Sequence, residues 1–123
     1  MNKYRDKSDF EINKAVAVLT GAVPFPIGTT EFRPSSVSGM ESAIIVKSPR
    51  KVGAFDPCNN PADAMPIVIE NRISIESRFN GHYDEWYASR QLNKMHIDAT
   101  GTNYYRVAME VFLMMKDAEN EKV

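Results

Sequence analysis

One cysteine, Cys58, is all the chain carries, so no internal disulfide can form. With seven methionines beside it, the composition fits a reduced intracellular protein. No apolar run approaches the ~20 residues that a membrane-spanning helix needs. The opening "MNKYRDKSDF" has no apolar stretch behind its charges, so no secretory leader is expected. Charge of one sign is also missing: 15 Lys and Arg stand against 16 Asp and Glu, for a net charge of -1. Without a global positive field, a dedicated polyanion binder is disfavoured. The six glycines are scattered singly, so there is no Gly-rich phosphate loop. Two histidines and one cysteine, far apart, match neither C-x-x-C nor H-E-x-x-H, so no metal and no other cofactor is expected. Together these absences give the expectation of a cytoplasmic protein with no membrane segment.

What is present is ordinary globular material, 43% apolar and 25% charged, in 123 residues. A chain of that size buries roughly two-thirds of its unfolded surface and supports one core, so residues 1–123 are read as a single domain. Residues 1–7 and 118–123 are expected to fray.

"SDFEINKAVAVLTG" opens with Ser8 and Glu11 at capping-box spacing. Ile12, Ala15, Val16 and Leu19 then recur on one helical face, and Gly21 is placed to end the helix in a left-handed conformation. Residues 22–42, interrupted by Pro, Gly, Ser and Thr, read as a long surface loop with an extended piece near Thr29–Phe32. "AIIVKSPRKVGAF" reads as a hairpin turning at Ser48–Arg50, with Gly53 marking a bulge.

In "FDPCNNPADAMPIVIENRIS", Asn60 or Asn59 caps a helix whose first residue is Pro61, where a missing N–H costs nothing. Asp63 suits the positive end of the helix dipole. Pro66 predicts a kink or restart, and Asn71 the end. "ISIESRFNGHYDEWYAS" reads as a second hairpin turning at Asn80–Gly81, with Ile75 opposite Trp86 and Glu76 opposite Glu85. Residues 90–102 look irregular. The last helix, "NYYRVAMEVFLMMKDAEN", is apolar around most of its circumference, with a polar sector at Arg106, Glu110 and Asp117. Such a helix is either central or covered by another subunit. The order α-ββα-ββα predicts an α+β fold with an antiparallel sheet packed against helices.

Each candidate site has a chemical and a structural reading. Cys58 near a helix N-terminus could be a nucleophile with His82 or His96 as base; a lone cysteine is also a small packed side chain. Asp56, Cys58, Asn59, Asn60 and Asp63 form a candidate ligand site, in which free amides after Pro61 would hold an anion; helix capping accounts for the same residues. The basic hairpin 47–51, with Arg33, Lys3, Arg5 and Lys7, could contact nucleic acid or be a solvated turn. Leu113 falls inside the polar sector of the last helix. A homodimer with Leu113 and Met114 in or beside the interface would cover it, as would the 22–42 loop.

"CNNPADAMPIVIENRIS", followed by "WYA" and then "RVAMEVFLMM", resembles the NinX family of small bacteriophage proteins. The resemblance extends to "SDFEIN" and covers about residues 8–20 and 55–116; Met65 stands where an aromatic is usual. It implies a phage or prophage accessory protein of uncharacterised biochemistry and supplies no catalytic residues. The residues that would mark a family surface are Asp56, Cys58, Asn59, Asn60, Pro61, Asp63 and Trp86. The resulting expectation is a non-enzymatic module that binds a host or phage protein. The alternatives are a small enzyme or ligand-binding protein at Cys58-Asn59-Asn60, and nucleic-acid binding through 47–51.

Overall fold

A computed structural model describes residues 2–26 and 28–121. The elements are α1 (Asp9–Leu19), β1 (Val23–Pro24), β2 (Ile44–Lys47), β3 (Val52–Phe55), α2 (Pro61–Glu70), β4 (Ser74–Phe79), β5 (Asp84–Leu92), β6 (Met95–Gly101) and α3 (Tyr104–Glu121). The fold is α+β and single-domain. Its strands form two antiparallel sheets, β1-β2-β3 and β4-β5-β6, so each expected hairpin gains a third strand.

Ser8 caps α1, its Oγ accepting the Glu11 N–H at 3.2 Å. Gly21 has φ +83 and lets the Ala22 N–H reach the Ala17 carbonyl at 3.0 Å, closing the helix. The buried face is turned from the expected one: Leu19 is 43% exposed while Asn13 is fully buried. An amide is tolerated inside because every polar atom of it finds a partner.

The β2–β3 hairpin turns as expected, with Ser48 Oγ accepting from the Arg50 and Lys51 amides. Gly53 does not mark a bulge; pairing runs unbroken from Ile44↔Phe55 to Lys47↔Val52. The 22–42 stretch is extended not at Thr29–Phe32 but at β1 and again around Pro34, which bridges Ile44. α2 continues through Pro66 as one helix. The carbonyl that Pro66 leaves without a helical donor belongs to Ala62, an exposed residue.

The β4–β5 register differs from the expected one by two residues. Ile75 faces Ala88 and Ser77 faces Trp86. The Asn80 side chain accepts from the amides of His82 and Tyr83, so Asn80 opens the turn instead of occupying its centre. A two-residue slip keeps each side chain on its face. It also replaces the expected Glu76–Glu85 opposition with Arg78 opposite Glu85. Residues 90–102 are not irregular: β5 runs to Leu92 and β6 pairs with it from Leu92↔Met95 to Trp86↔Gly101.

α3 is central. It packs against the β4–β6 sheet and against α1 and α2. Met109 and Leu113 are almost fully buried by their own chain, at 0% and 1% exposure. The reason for placing Leu113 in a dimer interface therefore disappears. Residues 2–7 are not frayed: Tyr4 is buried and its hydroxyl bonds Asp117, while the carbonyls of Tyr4, Arg5 and Lys7 accept from Arg106. α3 extends through Glu121; the last two residues of the expected frayed tail lie outside the described residues.

Candidate functional site

The Asp56–Asp63 segment is a self-bonded turn. The Asp56 carbonyl accepts from the Asn59 and Asn60 amides at 3.0 and 2.7 Å, which folds the chain into the start of α2. Asn60 Oδ1 then accepts the Ala62 N–H at 2.9 Å, making Asn60 the cap and Pro61 the first helical residue. Asp63 is buried. One of its oxygens takes the Lys51 ammonium at 2.9 Å and the other the Asp56 N–H at 2.9 Å, fastening the β2–β3 hairpin to α2.

Asn59 bridges further. Its Nδ2 lies 3.1 Å from both Asp9 Oδ2 and Asp56 Oδ1, and its Oδ1 accepts from Asn103 Nδ2 at 3.0 Å. Buried Asn13 donates to Asp56 Oδ1 at 2.7 Å and to the Ser42 carbonyl at 2.9 Å, and accepts the Cys58 N–H at 3.1 Å. Arg106 closes the cluster. Its Nη1 is 2.6 Å from Asp9, its Nε is 2.6 Å from Glu110, and its Nη2 donates to the carbonyls of the 4–7 segment. Glu110 is 5% exposed and also accepts from Asn2. The Arg106–Glu110 pair, within the expected polar sector of α3, is thus part of a larger network that joins the 2–9 segment and α3 to the Asn–Asn turn.

This geometry favours fastening over chemistry. Cys58 is fully buried, and its thiol is pushed well above the ordinary range by burial first and by the Asp9 carboxylate next, with Arg106 pulling the other way. A nucleophile needs the opposite shift. Neither histidine is among its hydrogen-bond partners. His82 is exposed in the β4–β5 turn, and His96 bonds Tyr87 and Gln91. The α2 amides that an anion would use are taken, that of Ala62 by the Asn60 side chain and those of Asp63 and Ala64 by the Asn60 carbonyl. Asp9, Asp56 and Asp63 around them would repel an anion as well. Among the described residues, no group of three or more His, Cys, Asp or Glu is arranged to hold a metal. In the 47–51 hairpin, Lys51 pairs with Asp63, and Arg50 lies 3.8 Å from Glu70. Lys3 faces Asp117 at 3.3 Å.

Sequence reasoning missed the outer face of the β4–β6 sheet. Tyr87 Oη lies 2.8 Å from His96 Nε2 and donates to Asp98 at 3.0 Å, and the Arg78 guanidinium sits 3.4 Å from the Tyr87 ring centre. The alternation of Met95, Ile97 and Ala99 with His96, Asp98 and Thr100 was the available signal. Among the described residues, two open clefts border the fold. One, of about 670 Å³, runs beside β6 between the 2–5 segment and the end of α3, where half-buried Met114 faces it. The other, of about 780 Å³, lies between the β2–β3 turn, α2 and α3.

A small α+β scaffold, whose most elaborate polar cluster is consumed in joining its own segments, is the class of protein this arrangement defines. The chain belongs to the NinX family: the family model described as "Bacteriophage P22, NinX" matches residues 3–116, including the 21–54 stretch outside the resemblance described above. It is a bacteriophage accessory protein by that membership. No curated protein matches it. No helix among the described residues is long and apolar enough to cross a membrane.

Proposed function

We propose that the protein is a non-enzymatic module that binds a host or phage protein in the host cytoplasm, and that the β4–β5 hairpin carries the contact. The observation that supports this is the reach of that hairpin. β6 pairs with β5 only as far as Trp86↔Gly101, so residues 78–85 continue as a two-stranded arm. Phe79 and Tyr83 stand at its end, 67% and 53% exposed. Aromatic side chains on a stiff projection supply large contact area at small entropic cost. The arm carries Asp84 and Glu85 against the single Lys or Arg, Arg78. Its acidic balance suits a partner with an apolar pocket and a basic rim, and disfavours nucleic acid.

Affinity capture from infected cells with the wild-type chain and with Phe79→Ser/Tyr83→Ser tests this. A protein retained by the first, lost by the second, and bound in purified form by the wild type alone is the expected result. Equal retention by both chains, with unchanged melting, removes the arm from the binding surface. Capture of nucleic acid in place of protein favours the basic hairpin.

A further inference from the structure

The free edge of β6 lacks several of the features that normally discourage strand pairing, although the 2–5 segment borders the cleft beside it. It contains no proline, its pairing with β5 has no bulge, and its inward positions Met95, Ile97 and Ala99 carry no charge. Among the described residues, no other strand hydrogen-bonds to this edge. The adjoining cleft of about 670 Å³ leaves room for an extended segment along it.

We infer that a second copy of the chain occupies this edge. β6 of each copy pairs antiparallel with β6 of the other about a two-fold axis through Ile97, making one continuous six-stranded sheet. Charge selects the register. With Ile97 on the axis, His96 of each copy faces Asp98 of the second copy on the outer face, so the imidazoles and carboxylates, already 3.6 Å apart within each chain, alternate across the seam. On the inner face Met95 meets Ala99. A register centred on Asp98 sets two carboxylates opposite each other, and one centred on His96 sets two imidazoles together. Met95, 44% exposed, and half-buried Met114 border the same cleft and add apolar surface to the contact. This interface is separate from the β4–β5 arm and from buried Leu113.

Sedimentation equilibrium on the full chain, wild type and variants, is the test. The wild type is expected to dimerise at micromolar concentration. His96→Glu puts Glu opposite Asp98, and Asp98→Lys puts Lys opposite His96; each is expected to weaken the dimer by about tenfold or more. The double variant His96→Glu/Asp98→Lys faces opposite charges again and is expected to recover most of the loss. Both side chains are about half exposed, at 48% and 52%, so the monomer fold tolerates them, which melting curves verify. Amide exchange on dimerisation should slow within 95–101. A species of single-chain mass at about 100 μM, a dimer indifferent to all three variants, or protection confined to the arm or the second cleft would each overturn the inference. The arm variant Phe79→Ser/Tyr83→Ser should leave this dimer intact.

Discussion

Arg106 and Asp9, 97 positions apart in the chain, meet at 2.6 Å between Nη1 and Oδ1. The same guanidinium holds Glu110 at 2.6 Å and three carbonyls of the N-terminal segment. Removing it strands a carboxylate that is 5% exposed. Arg106→Ala is expected to cost about 3 kcal/mol in urea unfolding, because a buried charge loses its partner. Arg106→Lys should recover little, since one ammonium does not reproduce the planar fork.

Asn60→Ala removes the acceptor for the Ala62 N–H and should cost about 1 kcal/mol in the same measurement. Asn60→Asp retains an acceptor at the positive end of α2 and should fall closer to the wild type.

Leu113→Ala should destabilise by about 2–5 kcal/mol, the range for a large aliphatic side chain removed from a core. Leu113→Glu should unfold the chain, seen as loss of far-ultraviolet circular dichroism. A folded Leu113→Glu monomer would contradict the burial of this residue at 1% exposure.

Trp86 meets Tyr104 edge to face with ring centres 4.9 Å apart. Because Trp86 is half-buried, Trp86→Ala should cost about 2 kcal/mol, less than the loss of a fully enclosed aromatic. A double-mutant cycle with Tyr104→Ala should return a coupling of about 1 kcal/mol. Zero coupling would mean that the two rings do not touch in solution.

Cys58 should react with a thiol reagent near neutral pH only as fast as the protein opens. Its burial and raised thiol both suppress the thiolate. Labelling rates should rise in step with unfolding by urea, and alkylation in the native state should be slow. Rapid native labelling would return Cys58 to the set of reactive residues.

The legible parts of the fold were those set by local physics. Ser8, and the Asn59–Asn60 pair that holds the α2 cap, were identifiable because a cap is decided within three residues, Pro61 because its ring fixes φ, and Gly21 because the left-handed conformation that closes α1 favours glycine. The β4–β5 hairpin was legible in kind but not in register, since Asn80–Gly81 fits more than one position in a turn and only the pairing of whole strands chooses between them. β6 was missed although its alternation was present, because His96 and Asp98 made the stretch look like loop. In the candidate site, the residues of the Asn–Asn turn were found but the company they keep was not. Asn13, Ser42 and the Asn103–Arg106 turn come from three distant stretches, and no spacing rule links them to Asn59 or Asp56.

The sequence by itself determined the ends of α1 and α2, the segments of the two hairpins, the α+β class and the absence of a metal or disulfide motif, all of which follow from backbone preferences and short spacings. Only the tertiary structure decided what the polar sector of α3 faces. Arg106 and Glu110 look solvent-directed on a helical wheel, yet the 2–9 segment folds over them and satisfies their charges. A buried ion pair is tolerated only where every partner is in place, and those partners are assembled by the whole fold. The same packing buried Leu113 within its own chain, because α3 is enclosed by a sheet and two other helices, and it left the edge of β6 unpaired with half-buried Met114 beside it.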